Sequence, residues 1–416
     1  MKRICLTVLG IFIWFMAAFS QSAGYDTSSY KPVRLKLDEA DLVSGYYSQN
    51  GNHSAVTGGT GSEQLHDISN VIDLKFVKWD PTGTNQYHLD MEVGLDHHTA
   101  ASQAYVSQTG ASRAYGTRFY PSLNWSVQNG RGFTFGVGAS FSTEYNYHSF
   151  GLNAVAGKTS RSQNTDITLR GQVFLDRVGL IYPSELAPST AGSGSGYSTY
   201  TTASGQVIGS YGGDDHYTIP TSPRNTYAGS LTWSQVINRN MQVALLADFV
   251  GQNGLLSLPF HRVYFNDNST EKIENLPDIR LKIPLGMRLN YFLGDKLVLR
   301  SYYRYYRDNW GIRSHTASLE TPYKLSPFVS VAPFYRYYTQ TASCYFAPYA
   351  AHKLTDTYYT SNYELSAMNT HYAGINLRFA PQKGLYIFDL IELRYGHYVQ
   401  TTGLHGDNIA INFRFR

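Results

Sequence analysis

Polar and apolar residues alternate along most of this chain with a period of two. In the run 279–290 every odd position is apolar, and every even position is polar, glycine or proline. The runs 88–96 and 132–142 show the same alternation. Because successive side chains of a β-strand point to opposite faces, such runs predict strands with one apolar face and one polar face. At about 10 to 13 residues, the runs are longer than a common globular strand and match a tilted membrane-spanning strand.

The alternation predicts sixteen strands, with fourteen as the alternative count. The first predicted strand is the least regular of them. The predicted strands are 33–47, 67–80, 86–97, 117–128, 131–143, 147–158, 165–177, 225–236, 240–251, 279–291, 296–308, 311–322, 327–340, 371–380, 385–398 and 407–416.

The connections between the predicted strands alternate between short and long. The short connections are tight polar turns near 81–83, 129–130, 159–164, 238–239, 294–295, 325–326 and 381–383. The other set of connections contains 48–66, 98–116, 178–224, 252–278, 341–370 and 399–406. Two links in that outer set are short as well, namely those near 144–145 and Asn309. Outer-membrane barrels combine short periplasmic turns with longer extracellular loops, so this alternation predicts an antiparallel barrel with both termini in the periplasm.

The composition agrees with a transmembrane β-barrel. Charged residues make up 15% of the 416 residues, whereas soluble domains have about 25%. After residue 23, no run approaches the roughly 18 apolar residues of a membrane-spanning helix. We therefore predict an all-β fold, a transmembrane antiparallel β-barrel in the outer membrane of a Gram-negative bacterium. The formal net charge of +4 indicates no particular partner, and the chain has no basic tract that would predict nucleic-acid binding.

Both ends of the chain carry signals for export and assembly. A basic start, an apolar stretch and small residues follow one another in residues 1–23, which predicts a cleaved signal peptide and a mature barrel over 24–416. Cys344 is then the only thiol of the mature chain, so no internal disulfide is expected. The last strand, 407–416, alternates and has the aromatic Phe415 near its end. It resembles the signal that the barrel-assembly machinery recognises, although the final residue is an arginine.

Charged side chains on the strands are expected to face the lumen, because Arg or Lys facing lipid costs about 2 to 4 kcal/mol at the bilayer midplane. The predicted basic lumen residues are Arg280, Lys282, Arg288, Arg300, Arg304, Arg336 and Arg394. The predicted acidic lumen residues are Asp90, Glu92 and Glu392. One interpretation is a water-filled pore with a basic wall and an acidic wall. The alternative is that these charges pair across a filled lumen and only stabilise the barrel.

Aromatic residues flank several of these arginines. Amphipathic aromatic side chains are favoured where a membrane meets water, so we expect a girdle near the outer rim. The predicted girdle residues are Tyr303, Tyr305, Trp310, Tyr335 and Tyr337. The alternative is an aromatic path that binds sugars.

Several motifs along the chain resemble a known family. The longest are YRYYRDNWGIRSHT at 303–316 and PFYRYYTQTA at 333–342. The others are NHSAVTGG at 52–59, YPSLNW at 120–125, PFHRVY at 259–264 and the run 358–365. Together they resemble the uncharacterised domain-of-unknown-function 3570 family of bacterial outer-membrane β-barrels, over nearly the whole mature chain. The resemblance implies an outer-membrane barrel without an agreed substrate or active site. Members of that family accompany thioredoxin-like and flavin-attachment proteins, which implies a link to envelope redox proteins.

The predicted function is a channel or transporter that carries a small polar solute through the lumen. The alternative is a structural or partner-binding scaffold of the outer membrane with a plugged lumen. An enzyme is not expected, because the thirteen histidines, His97 and His98 among them, form no known catalytic or metal-binding motif. No cofactor and no metal are predicted, and the expected surroundings are outer-membrane lipid and lipopolysaccharide. The Gly- and Ser-rich loop near 183–224 is either a constriction inside the lumen or a disordered surface loop.

Overall fold

The structure, a computed structural model, describes residues 31–99, 115–183, 186, 198–201, 207–211 and 220–415. The predicted signal peptide and most of the connections 98–116 and 178–224 lie outside the described residues. The strands are β1 (Lys36–Asn50), β2 (Leu65–Trp79), β3 (Gln86–Thr99), β4 (Tyr115–Gln128), β5 (Phe133–Glu144), β6 (Tyr147–Thr159), β7 (Thr165–Gly179), β8 (Ser198–Thr201), β9 (Val207–Tyr211), β10 (Thr221–Asn238), β11 (Met241–Gly254), β12 (Arg262–Tyr264), β13 (Glu271–Ile273), β14 (Ile279–Leu293), β15 (Leu297–Asp308), β16 (Arg313–Glu320), β17 (Tyr323–Ser326), β18 (Val329–Gln340), β19 (Met368–Phe379), β20 (Phe388–Gln400) and β21 (His405–Phe415). Two 3₁₀ turns cover Ala55–Thr57 and Tyr363–Leu365.

The long strands form one closed antiparallel barrel of sixteen strand positions. Each strand pairs with the next along the chain, and β21 pairs with β1 from Ala40↔Phe415 to Asn50↔His405. The ring order is β1 to β7, β10, β11, β14, β15, β16 together with β17, β18, β19, β20 and β21. The sixteen strands predicted from the alternation are confirmed, with small shifts at their ends.

One strand position is interrupted: β16 lies within the predicted strand 311–322, and β17 continues the same position beyond the predicted end, through the predicted turn at 325–326. The break falls at Thr321 and Pro322. Proline has no amide hydrogen to donate to a neighbouring strand, so the ladder stops there. Its carbonyl is still used, since the amide of Val298 donates to Pro322 O at 3.0 Å. The barrel therefore remains closed across the interruption.

The outer surface of the barrel is apolar and exposed. On β14 the side chains of Ile279, Leu281, Ile283, Leu285 and Met287 are all between 42% and 46% exposed. These apolar side chains alternate with those of Arg280, Lys282 and Arg288 and so share one face of the strand, and an outward apolar band is what contacts lipid. The protein is therefore an integral protein of the outer membrane. Within the described ranges, no helix is long and apolar enough to cross a membrane.

The two ends of the barrel differ in their connections. One end has only short links, at 80–85, 129–132, 160–164, 239–240, 294–296, 327–328 and 380–387. The other end has the long links 51–64, 100–114, 180–220, 255–278 and 341–367, with three short ones at 145–146, 309–312 and 401–404. By the usual polarity of such barrels, the end with long loops is extracellular.

Candidate functional site

The structure places the predicted basic residues on the inner face of the barrel, on β14, β15, β18 and β20. Arg280 and Lys282 alternate with the outward-facing Ile279, Leu281 and Ile283, so their side chains point to the opposite face. Arg300 and Arg304 on β15, Arg336 on β18, and Arg394 on β20 occupy the equivalent positions of their strands. We call this surface the basic wall.

The strongest contact of the basic wall joins Arg280 to Asp308. The side chain of Asp308 is 0% exposed, and its Oδ2 accepts hydrogen bonds from Nε and Nη2 of Arg280 at 2.9 and 2.6 Å. The hydroxyl of Tyr306 donates to the same carboxylate at 2.8 Å, and the amides of Trp310 and Ile312 also donate to it. Asp308 therefore fixes Arg280 and the turn after β15 together.

A second carboxylate, Glu320, bridges two arginines of the basic wall. Its Oε1 lies 3.1 Å from Nη1 of Arg300, and its Oε2 lies 3.3 Å from Nη1 of Arg394. Glu392, predicted from the sequence as an acidic lumen residue beside Arg394, instead pairs with Arg378 at 3.3 Å. The shared carboxylate of Glu320 therefore partly neutralises Arg300 and Arg394.

The remaining cations of the basic wall form no ion pair with a carboxylate in the described chain. The guanidinium of Arg288 lies 5.8 Å from the ring centroid of Tyr302, and that of Arg336 lies 5.0 Å from the ring of Tyr372. A cavity of 330 Å³ adjoins this wall, lined by Arg280, Arg304, Tyr306, Ile312, Ser314, Thr316, Tyr338, Gln340, Glu364 and Leu365. The cavity thus combines guanidinium, hydroxyl and amide groups, which can all donate to a polar solute.

An acidic wall is formed by the inner faces of β1, β2 and β3. Its carboxylates belong to Glu39, Asp41, Asp73, Asp90 and Glu92. Lys75 and Arg414 neutralise part of this wall by pairing with Glu39 and its neighbours. Asp90 and Glu92 form no ion pair with a Lys or Arg among the described residues.

The part of the basic wall on β14 and β15 stands opposite the acidic wall, whereas Arg336 on β18 and Arg394 on β20 lie nearer to it along the ring. In the ring of sixteen positions, β2 and β3 are second and third, whereas β14 and β15 are tenth and eleventh. β2 and β14 are thus eight positions apart, as are β3 and β15, and eight positions are half of the circumference. Asp90 and Glu92 on β3 thus face Arg300 and Arg304 on β15, and between these two groups of charges the electric field is directed across the lumen.

Three long loops pack together over the extracellular end, and we call them the loop cap: 51–64, 255–278 and 341–367. Val263 and Phe265 are 0% exposed and form a small apolar core with Tyr359. The hydroxyl of Thr360 donates to Glu274 at 2.6 Å. These contacts join the second loop to the third.

Arg262 joins the first loop to the second. Its side chain is 0% exposed, its Nη1 donates to Val56 O at 2.7 Å, and its Nε lies 3.1 Å from Glu271. The first loop follows β1, at position one of the ring, and the second follows β11, at position nine. Since these positions are eight apart, the two loops start on opposite sides of the barrel, and their contact spans its mouth.

Four of the five predicted girdle residues, two on β15 and two on β18, lie beside two histidines. Tyr303 and Tyr335 are both 45% exposed on the outer face. The Tyr303 hydroxyl lies 2.8 Å from Nδ1 of His315, and the Tyr335 hydroxyl lies 2.7 Å from Nδ1 of His371. Tyr305 and Tyr337 stand beside the same two histidines, each with its ring centroid 5.3 Å away.

The girdle prediction is wrong for Trp310, which is only 2% exposed. Trp310 lies in the turn between β15 and β16, where strand alternation no longer applies. Its Nε1 donates to Ile279 O at 3.1 Å, and the guanidinium of Arg280 lies 4.4 Å from its ring. It therefore packs at the rim of the basic wall instead of facing lipid.

The histidines show no metal site in the part of the chain that the structure describes. No group of three or more His, Cys, Asp or Glu side chains there could hold a metal ion. His97 lies 2.8 Å from the Thr117 hydroxyl, and His98 lies 3.3 Å from Glu144 on the opposite face. Alternation predicts this separation of neighbouring strand residues.

The fold and the lumen together define an integral outer-membrane β-barrel protein. The chain belongs to the family described as "Protein of unknown function (DUF3570)", whose model matches residues 40–407. No curated protein matches the chain.

Solved structures of outer-membrane barrels are similar to the chain at low identity. CdiB from Acinetobacter baumannii is 9% identical with a TM-score of 0.44, covering 91% of this chain and 60% of its own. OpdK from Pseudomonas aeruginosa, solved with vanillate, is 9% identical with a TM-score of 0.41, covering 93% and 99%. A BenF-like porin from Pseudomonas fluorescens Pf-5 is 9% identical with a TM-score of 0.40, covering 91% and 98%. Such low values give no information on the function of this chain.

Proposed function

We propose that this protein is a channel or transporter that carries a small polar solute across the outer membrane through its lumen. The observation that supports this function is that Asp90 and Glu92 on β3 lie half a circumference from Arg300 and Arg304 on β15. A barrel of sixteen strands is wide enough to leave an aqueous channel. Charges that served only to stabilise the barrel would be expected to pair with one another, whereas Asp90, Glu92 and Arg304 have no ion-pair partner in the described chain.

The transverse field acts on a solute by orienting it. A solute with separated charges, or with one anionic group, lowers its energy when its negative end approaches the basic wall. The cavity of 330 Å³ beside Arg304 offers guanidinium and hydroxyl groups at that wall. Because Arg304 and Arg336 are not held by carboxylates, they can bind a passing solute and release it without breaking an internal ion pair.

The loop cap controls access to this path. It spans the barrel mouth through the contact between Arg262 and Val56, so a solute that crosses the mouth there requires the loops to move. The function we propose therefore includes opening of the loop cap. We also propose that residues 1–23 direct export and that β21 is recognised by the barrel-assembly machinery.

The loop cap also favours a second candidate function, a scaffold whose folded outer surface binds a partner. A small apolar core and buried polar contacts make the cap a defined surface rather than a set of free loops. The link to envelope redox proteins that the family resemblance implies belongs to this candidate. In that case the lumen would stay closed to solutes.

Variants that remove charge from the basic wall or from the acidic wall test the channel function. Reversal potentials would be measured in planar bilayers under a KCl gradient for Arg304→Ala/Arg336→Ala and for Asp90→Asn/Glu92→Gln. We expect the first variant to shift selectivity towards cations and the second towards anions. Arg161→Ala, in a short turn at the other end, is the control and should keep the wild-type value. A folded barrel that never conducts, or wall variants with wild-type selectivity, would contradict the channel and leave the scaffold.

A further inference from the structure

Two arginines on the outside of the barrel face each other directly. Arg307 on β15 is the cross-strand partner of Arg313 on β16, and both side chains are exposed. On its other side Arg307 is paired with Ile283, which is 46% exposed on the outward apolar surface. Since paired residues on neighbouring strands share a face, both guanidinium groups lie outside the barrel, on the side that faces lipid.

This arrangement is unfavourable for the protein alone. Like charges directly opposite each other on neighbouring strands repel and destabilise the sheet. Neither guanidinium has a carboxylate partner among the residues that the structure describes. The other neighbour of Arg313 is Thr341, whose hydroxyl accepts from the Arg313 amide and donates to Gly311 O. An external anion is therefore the group that would offset the repulsion.

The level of the arginine pair points to the outer-leaflet headgroups. Arg307 is the last residue but one of β15 at the extracellular end, two residues before the turn 309–312 begins. Tyr303 and Tyr305 precede it on the same face, and such tyrosines mark the boundary between hydrocarbon and headgroups. At that boundary an outward arginine costs only about 0 to 1 kcal/mol. The pair thus lies beside Ile283, near the extracellular end of the apolar band.

We propose that Arg307 and Arg313 together bind a phosphate group of a phosphorylated glycolipid in the outer leaflet, of the lipid A type. The planar fork of a guanidinium matches the oxygens of a phosphate, and two forks can hold one phosphate from both sides. Free phosphate offers the same oxygens. A lipid is favoured because the apolar surface beside the pair at Ile283, and below it at Leu285, is where its acyl chains would lie.

Lipid binding to the purified mature protein in detergent micelles tests this site. Native mass spectrometry would give the dissociation constants for diphosphoryl lipid A and for dephosphorylated lipid A, with inorganic phosphate as a separate competitor. The variant is Arg307→Gln/Arg313→Gln. The matched control is Arg131→Gln/Arg161→Gln, which removes two exposed arginines from short turns at the opposite end. A heat-modifiable band on electrophoresis shows that each barrel is folded.

We expect the wild type and the control to bind diphosphoryl lipid A alike, with the dissociation constant of the Arg307→Gln/Arg313→Gln variant raised about tenfold or more, as loss of charge-assisted hydrogen bonds implies. Dephosphorylated lipid A should bind the wild type as weakly as the variant binds the phosphorylated form. Three results would overturn the proposal. The variant and the control could bind diphosphoryl lipid A equally, or the wild type could bind the dephosphorylated and diphosphoryl lipids equally. In the third, inorganic phosphate binds at the two arginines, but the affinity for lipid A does not depend on them.

Discussion

Replacement of Arg262 by methionine should loosen the loop cap and leave the barrel folded. Methionine keeps the apolar stem and much of the volume of the arginine, so the change removes mainly the guanidinium. That group is fully buried, donates to Val56 O at 2.7 Å and lies 3.1 Å from Glu271. The variant therefore breaks the contact by which the cap spans the barrel mouth.

The size of the effect follows from these contacts. Breaking a fully buried ion pair costs about 3 to 5 kcal/mol, but the side chain of Glu271 is 24% exposed, so water offsets part of this cost. The hydrogen bond to Val56 involves a charged donor and contributes about 1.5 to 3 kcal/mol. We therefore expect the closed cap to lose about 2 to 3 kcal/mol, which raises its open population roughly 30-fold to 150-fold.

Hydrogen–deuterium exchange of the loop peptides measures this population. Amides of 51–64 and 255–278 should exchange faster in the Arg262→Met variant by the same factor, while those of β14 in the barrel keep their rates. Lys272→Met is the matched control, because Lys272 belongs to the same hairpin but is exposed. Its ammonium group lies 5.0 Å from the Phe265 ring, a contact of about 0.5 kcal/mol at an exposed site.

Unchanged exchange of 51–64 in the Arg262→Met variant would refute the reasoning. Equal acceleration by Lys272→Met would refute it as well, because loss of any positive charge from the hairpin would then open the loop cap, whether or not the side chain contacts Val56. Loss of the heat-modifiable band would show that the variant disturbs the barrel and not only the cap.

Other predictions concern the carboxylates. Asp308→Asn removes a buried charge that accepts five hydrogen bonds, so the barrel should lose about 3 to 5 kcal/mol in urea unfolding, with the exposed Asp295→Asn unchanged. Glu320→Gln removes a bridge between two partly exposed lumen arginines, so the free energy of unfolding should change by only about 1 kcal/mol while anion selectivity rises. The hydroxyl and amide of Thr270 hold the pKa of Asp267 well below its usual range. The stabilisation that ionised Asp267 gives to the cap hairpin is therefore present above about pH 4 and lost as the pH falls through the lowered pKa. Hydrogen–deuterium exchange of the hairpin amides should therefore speed up in acid in the wild type more than in Asp267→Asn.

The barrel could be predicted from the sequence because lipid imposes a period of two on every spanning strand. The same alternation fixes the faces of Arg280, Arg304 and Asp90, since a residue's parity on its strand decides which side it occupies. The parity rule fails where the strand ends, which is why the girdle prediction does not hold for Trp310. It also does not show where a strand breaks, as at Pro322.

Contacts between distant parts of the chain could not be predicted in this way. Arg262 and Val56 are 206 residues apart, and no local pattern links them. Glu320 and Arg394 are 74 residues apart, and Arg394 reaches Glu320 although Glu392 is nearer along the chain. Two motifs of the family resemblance, 52–59 and 259–264, meet in the loop cap, but their sequences alone do not say so. The closure of the ring brings these residues together, and only the structure shows it.

Single-channel current through the wild type and through Arg262→Met, in the same planar bilayer, tests the central claim most directly. The account predicts that the wild type conducts and that the variant conducts more, through longer openings or a larger current, because the loop cap no longer spans the barrel mouth. Two folded, heat-modifiable barrels that never conduct would contradict the account, since a lumen that stays closed after release of the loop cap is not a path for solutes.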